Sequence, residues 1–324
     1  MKPVLLTMGD AAGIGPETVV KAWAQGPNAP ATVVGDVAVL RRALRQCGLS
    51  MPVQQLEAPD EAPLPGALPV WQPSGLPASL IDGPQGQVRA DCGAAAARCI
   101  EAAVRVLQAG QGHALVTAPI HKEALHAAGQ PYPGHTEMLQ ALAQVPAVRM
   151  MLVNKELRVV LVTVHLALRH AITQVTRSAV LETVQMLDAA LRQRFGLARP
   201  RIAVAGLNPH AGEGGLFGDE EIQFIAPAIR DAQALSIQAS GPWAPDTVFM
   251  RARAGEFDAV VAMTHDQGLI PIKYLGLDEG VNLTLGLPFL RTSPDHGTAF
   301  DIAGSGRADP ASLLAAWRLA AELS

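Results

Sequence analysis

Apolar residues along this chain gather in short runs separated by longer amphipathic stretches. Val4–Thr7, Ala31–Val34, Ala114–Thr117, Met150–Val153, Leu157–Val164, Ile202–Leu207, Ala259–Met263 and Val281–Leu285 are dominated by branched and small aliphatics. Runs with so little polar alternation suggest strands buried on both faces, as in parallel sheets. Between them, 3.6-residue periodicity predicts helices from near Pro16 and over Ala38–Cys47, Ala94–Gln108, Lys122–Ala128, Arg177–Phe195, Glu220–Leu235 and Ala311–Leu323. Gly110 and Gly196 follow two of these as stop signals. The alternation predicts an α/β fold with a mostly parallel sheet and one antiparallel member. Seven prolines between Pro59 and Pro84 predict an irregular excursion with one edge strand near Leu68–Trp71.

Composition narrows the class. With 324 residues, 49% of them hydrophobic, the chain is long enough for two domains. A net charge of −4 without a basic block argues against nucleic-acid or membrane-surface partners. No apolar run approaches the ~18 residues of a membrane span. The apolar stretch at the N-terminus is too short for a signal peptide. Cys47, Cys92 and Cys99 lack zinc-site spacing, and point to a reducing, cytoplasmic setting.

Candidate chemistry sits where the apolar runs end. His165, His210 and His265 each follow such a run. In open α/β sheets ligands bind beyond the carboxyl ends of the strands. Three imidazoles delivered there could meet around a divalent cation, leaving a position for substrate. A lone histidine at a strand end is more often just hydrogen-bonded. At the N-terminus, Gly9-Asp10-Ala11-Ala12-Gly13-Ile14-Gly15-Pro16-Glu17 joins a strand to a helix whose N-terminus favours an anion. Its spacing is not that of the dinucleotide fingerprint.

His296-Gly297-Thr298-Ala299-Phe300-Asp301-Ile302-Ala303-Gly304, taken with that loop, resembles the isocitrate and isopropylmalate dehydrogenases. The resemblance implies a two-lobed subunit of their type, with the active-site cleft between lobes. It sets His296 against the adenosine half of a nicotinamide cofactor, Ile14 along the cofactor cleft, and Asp301 on the ribose hydroxyls. A carboxylate there favours NAD over NADP, the alternative. Those families hold their metal with aspartates, whereas this chain offers histidines.

Longer motifs lead to a nearer family. Leu207–Gly215, His265-Asp266-Gln267-Gly268, Asn282–Ser293, Thr117–Lys122 and Gly134-His135-Thr136-Glu137 resemble the 4-hydroxythreonine-4-phosphate dehydrogenases. The likeness runs from Met8 to about Pro310 and is weakest across the proline-rich stretch. Ala11 stands where relatives commonly have proline. The resemblance makes His165, His210 and His265 ligands of one divalent cation (zinc, cobalt, manganese or magnesium), shared between the chains of a homodimer. It makes His135, Thr136, Lys273, Asn282 and Arg291 substrate contacts. Lysine, arginine and asparagine suit a phosphorylated substrate. A mean hydropathy of +0.21 is compatible with an interface. Asp266 and Lys122 are candidate catalytic residues. Asp266 and Asp246 could also support ligands or cap helices, and Lys122 could simply occupy a first helical turn.

Cofactor motifs at both chain ends, with histidines in the middle, predict a cofactor-side lobe of residues 1–130 plus 285–324. Residues 131–284 then form a lobe for metal, substrate and dimerisation. The implied activity is NAD-dependent, metal-assisted oxidation of 4-phosphohydroxy-L-threonine to the 3-oxo acid. That product decarboxylates to 3-amino-2-oxopropyl phosphate, a step in pyridoxal 5'-phosphate biosynthesis. The same chemistry on 4-phospho-D-threonate or 4-phospho-D-erythronate is the alternative. A histidine-metal hydrolase would leave the cofactor segments without a role. A non-catalytic metabolite-binding protein would leave the convergent polar groups unexplained.

Overall fold

A strand without a polar face needs cover on both sides, and most of the apolar runs obtain it inside parallel ladders. In the computed structural model, which describes residues 2–26, 29–276 and 280–323, the chain divides into two units. Met1–Val148 with Leu287–Leu323 forms the first, Arg149–Gly286 the second. The first begins with β1 (Val4–Thr7), α1 (Gly15–Ala24), β2 (Ala31–Val34), α2 (Val37–Gln46), β3 (Val53–Leu56) and β4 (Leu68–Trp71). It continues through α3 (Ala90–Gln108), β5 (Ala114–Thr117), α4 (Lys122–Ala127) and α5 (His135–Ala143). The second unit starts with β6 (Arg149–Val153), β7 (Arg158–Leu161), α6 (Leu168–Gln174), α7 (Arg177–Gln193) and β8 (Ile202–Ala205). It closes with α8 (Ala226–Ala234), β9 (Ala239–Trp243), α9 (Val248–Arg253), β10 (Ala259–Ala262), α10 (His265–Tyr274) and β11 (Val281–Leu285). The chain then returns to the first unit as β12 (Leu290–Pro294) and α11 (Ala311–Glu322).

Within the first unit the strand order is β3-β4-β2-β1-β5-β12, and every neighbouring pair is parallel. From β1 the chain winds outward through β2, then crosses by α3 to β5 on the other side. That reversal beside β1 is where an open parallel sheet forms its ligand crevice. The loops leaving β1 and β5 meet there, and the Asp10 N–H donates to Pro119 O at 2.9 Å.

The proline-rich stretch differs from expectation. β4 is not an edge strand; it lies between β2 and β3, which occupies the edge. β3 escapes an apolar-run reading because its sequence, Val-Gln-Gln-Leu, carries the polar residues of a half-exposed edge. Pro69 is tolerated because the β2 ladder starts only at Val70.

In the second unit the order is β11-β6-β7-β10-β8-β9. Strands β7, β10, β8 and β9 run parallel, and β6 is antiparallel to both its neighbours. Helix α10 is not expected from sequence, since Gly268 and Pro271 interrupt it. The glycine lets it lie against β7 and β10: a β-carbon at 268 would sit 2.4 Å from Leu161 Cδ2 and 3.0 Å from Ala262 Cβ. Val159, Leu161, Ala203, Val260 and Ile272 form part of the buried core of this unit.

The division between units falls at 148/149 and 286/287. It differs from the expected boundaries chiefly because α5 belongs with α3, where Gln108 Nε2 donates to Leu142 O at 3.1 Å. Cys92 and Cys99 are buried in α3, and burial pushes both thiols up, Cys92 to about 12. Among the described residues no helix is long and apolar enough to cross a membrane.

Helices α3 and α4 touch backbone to side at Gly93. A β-carbon there would lie 2.0 Å from Ala124 O, a clash that no rotamer relieves. Gly93→Ala is expected to lower stability by about 2–3 kcal/mol, read as a fall in the urea midpoint. An unchanged midpoint would contradict this packing.

Candidate active site

Two segments from opposite ends of the chain meet in the first unit. Beyond β1 the buried Asp10 accepts the Ala12 N–H at 2.8 Å, and its carbonyl accepts the Gly13 N–H at 3.0 Å. Burial pushes the Asp10 carboxyl above its usual range, against the opposing pull of the Ala12 N–H and His121. This tight turn brings in α1, with Ile14 as its N-cap. The Ile14 N–H donates to Thr298 O at 3.0 Å. One turn on, buried Glu17 accepts the Gly304 N–H at 2.5 Å. Lys21 Nζ then donates to the carbonyls of Gly306 and Ala308 at 2.6 and 2.8 Å. One helix thus holds the strip of residues 298–308. Phe300 stacks on His121 with ring centroids 4.5 Å apart, and Ala299 is held at φ 42°. Asp301 is exposed on this strip and His296 just before it; His296 Nδ1 lies 3.0 Å from Gly297 O.

A cationic group is also built into this unit. Arg291, on β12, is 2% exposed, and its Nη2 donates to Thr117 Oγ1 at 2.6 Å. Burial lowers its pKa to about 10, so it stays charged at neutral pH. His135 opens α5, followed by Thr136. Burial first, and the Arg291 charge second, hold the His135 imidazole well below its ordinary pKa. It is therefore neutral at pH 7. Lys122 opens α4, and its Cε passes 3.7 Å from the position of a Gly134 β-carbon. A buried guanidinium, a hydroxyl and a neutral imidazole suit an oxyanion. Thr117 was not singled out from sequence; its place as the last residue of β5, within Thr-Ala-Pro, was the available signal.

The three candidate ligands all lie in the second unit, beyond the carboxyl ends of β7, β10 and β8, which are adjacent in the sheet. Their backbone is unusual: His165 has φ 48° and His210 φ 52°. Non-glycine residues in this region cost of order 1–3 kcal/mol and cluster at functional sites. The His165 and His265 rings lie 5.7 Å apart, lining a hollow of about 370 Å³ with Thr163, Leu168, Thr264 and Asp266. Asp266 Oδ1 lies 2.7 Å from His265 Nδ1, which leaves Nε2 for a ligand. A carboxylate behind an imidazole is the usual support of a metal-binding histidine, so this pair fits a cation. His210 stands apart from it, in the turn Pro209–Gly215, with its ring 6.2 Å from that of Phe217. Among the described residues no group of three or more His, Cys, Asp or Glu side chains is gathered to hold a metal.

The other candidates are dispersed. Asp266 occupies the first turn of α10 and Lys273 the last. Asn282 lies on β11 opposite Leu152 of β6. Asp246 does not cap a helix; Thr247 is the N-cap of α9.

The family described as pyridoxal phosphate biosynthetic protein PdxA matches residues 28–320. A 4-hydroxythreonine-4-phosphate dehydrogenase of Beijerinckia indica is 50% identical, over 99% of this chain and 95% of its own. A D-threonate 4-phosphate dehydrogenase of Pectobacterium atrosepticum is 46% identical, over 100% of this chain and 99% of its own. The crystal structure of a 4-hydroxythreonine-4-phosphate dehydrogenase from Klebsiella pneumoniae superposes with a TM-score of 0.93 at 45% identity, covering 99% and 97% of the two chains.

The depressed pKa of His135 has a stability consequence. The unfolded chain takes up a proton near pH 6.5, while the native imidazole stays neutral to lower pH. Its contribution is therefore complete above about pH 6.5 and is lost as pH falls toward the native value. Unfolding free energies from urea titrations between pH 7.5 and 5.5 should fall more steeply for the wild type than for His135→Gln, by up to about 1.4 kcal/mol per pH unit. Parallel curves would show that His135 titrates normally.

Proposed function

Because the chain belongs to the family of pyridoxal phosphate biosynthetic protein PdxA, we propose that it oxidises the secondary hydroxyl of a 4-phosphorylated hydroxy acid, using NAD and one divalent cation. The observation that carries this reading is the junction of the strip 298–308 with α1 beside the β1/β5 reversal. A hydrolase has no use for such a junction, whereas a dinucleotide needs both a helix N-terminus and a wall for its adenosine half. Asp301, exposed on that strip, takes the ribose diol and repels a 2′-phosphate, which favours NAD over NADP.

When bound, the cation polarises the substrate hydroxyl and the nicotinamide accepts the hydride. The chain's own groups do the rest. Arg291, steadied by Thr117, pairs with an anionic oxygen of the substrate. Neutral His135 accepts or donates one hydrogen bond without adding charge, and Thr136 adds a hydroxyl. Lys122, beside Gly134, adds a second cation, and Lys273 and Asn282 complete the polar set. Asp266 would fix the tautomer of His265 so that Nε2 is left to hold the cation. The substrate is 4-phosphohydroxy-L-threonine, whose 3-oxo product loses carbon dioxide to give 3-amino-2-oxopropyl phosphate toward pyridoxal 5'-phosphate. The second reading, oxidation of 4-phospho-D-threonate or 4-phospho-D-erythronate, is favoured by near-equal identity to a full-length D-threonate 4-phosphate dehydrogenase.

The active unit is a homodimer. His165 and His265 face each other within one chain while His210 stands apart, so the third imidazole comes from the partner subunit. Leu168, Leu216, Ile222 and Ile270 of the second unit are more than half exposed, an apolar surface that a second copy would cover.

NADH formation on the three 4-phosphorylated acids separates the readings. The expected result is turnover of 4-phosphohydroxy-L-threonine, abolished by a chelator and weaker with NADP. Turnover of the threonate or erythronate only selects the second reading, and none on any of the three refutes both. The shared site predicts a pattern of complementation. Mixed His165→Ala and His210→Ala chains regain up to about a quarter of wild-type activity after subunit exchange, because half the dimers are mixed and one of their two sites is intact. Mixed His165→Ala and His265→Ala chains regain none. The opposite pattern would overturn the assignment.

A further inference from the structure

The turn that carries His210 is held in a conformation its sequence does not favour. Residues 210–214 have φ values of 52°, 53°, 77°, 44° and 66°, and His210, Ala211 and Glu213 among them are not glycine. A run of left-handed residues costs roughly 1–2 kcal/mol for each non-glycine member, so neighbouring groups must hold it. Two side chains remote from the imidazole do so.

Glu221 is 3% exposed and begins the π-helical turn Glu221–Ile225. Such one-turn π segments are frequent at functional sites. Its Oε1 accepts the N–H groups of Leu207 and Asn208, both at 2.7 Å. Its Oε2 accepts Asn208 Nδ2 at 2.9 Å. Gly206 and Gly212 close on the same carboxylate, where β-carbons would come within 3.0 and 2.8 Å of its oxygens. On the other side, Gln267 Nε2 donates to Gly206 O at 2.8 Å, and Gln267 Oε1 accepts the Met263 N–H at 2.6 Å. Met263 O in turn accepts the N–H and Oγ1 of Thr163. One hydrogen-bonded chain therefore runs from the His165 turn through the His265 turn to the base of the His210 turn.

We infer that Glu221 and Gln267 are positioning residues of the metal site, clamping residues 206–208 so that each chain presents its His210 in one fixed orientation to the site it completes across the dimer. Neither touches the cation. The inference rests on the metal-site reading above. Its content is that the clamp sets metal affinity through the backbone of the His210 turn. Glu221→Ala removes three acceptor contacts. Glu221→Gln keeps Oε1 for the two backbone N–H groups. Gln267→Leu breaks only the link to the His265 turn.

Zinc binding to the full-length dimer, measured by calorimetry without substrate or NAD, is the primary readout. Amide hydrogen exchange of residues 207–208 in metal-free protein is the second. Glu221→Ala and Gln267→Leu are expected to weaken zinc binding 10- to 100-fold, the range for lost support of a ligand, with NAD affinity unchanged. Glu221→Ala should also speed exchange at 207–208, and Glu221→Gln should recover most of both losses. Wild-type zinc binding that is indifferent to His165→Ala and His210→Ala would refute the metal site itself. His-dependent binding in the wild type with undiminished affinity in Glu221→Ala and Gln267→Leu would overturn the clamp alone. Loss of zinc and NAD affinity together in both variants would mark a merely structural role and also overturn it.

Discussion

A strand buried on both faces leaves little room for polar side chains, and that constraint organises the molecule. Leu5, Leu6, Val116, Val159, Val160, Val204, Val260 and Val261 are all essentially inaccessible to solvent. Chemistry in such a sheet is pushed to the ends of its strands. Here it is pushed to the carboxyl ends of β1 and β5 in one unit and of β7, β8 and β10 in the other. The strands are only four residues long, so the loops beyond them start from well-fixed positions. Rigid strand ends and adaptable loops are a good division of labour for a site that must orient several groups at once.

Polar groups that do enter the interior each hold a different part of the structure. Glu17 uses its carboxylate to receive a backbone N–H from a segment 287 positions away. Asp10 turns inward to shape its own loop and is pushed by burial toward its neutral form. Glu221 gathers three donors at the base of one turn. Arg291 retains its charge although burial lowers its pKa. Its Nη2 is held by Thr117 Oγ1, and an anion bound beside it would offset the cost of burying that guanidinium. The buried acids therefore hold the loops, a task separate from that of the buried guanidinium.

Much of the α/β alternation was legible because it follows from the need to bury apolar runs. What escaped was whatever departs from simple periodicity. β3 carries two glutamines at a sheet edge, and α10 contains a glycine and a proline that close packing against β7 and β10 makes tolerable. The histidines were visible as residues after strands, and the adjacency of those strands follows from the parallel pairing of β7, β10 and β8. The pairing of His165 with His265 to the exclusion of His210 was not legible, since three strand ends look alike in sequence. Glu221 was also hidden. A glutamate in the first turn of a helix usually faces solvent, and only the packing of Gly206 and Gly212 against its carboxylate shows otherwise.

The left-handed residues at His165 and His210 show how these levels combine. Both side chains leave the sheet from turns that an unassisted chain would relax. The Thr163 bonds to Met263 O hold one turn, and the Glu221 and Gln267 bonds hold the other. Each turn is braced by groups other than the histidine it carries. A ligand on a relaxed loop would have to be ordered each time a cation bound, at a cost of roughly 1–2 kcal/mol per residue fixed. In a metal-binding turn, strain met once on folding would thus be exchanged for order already present on binding, the general advantage of a preorganised site.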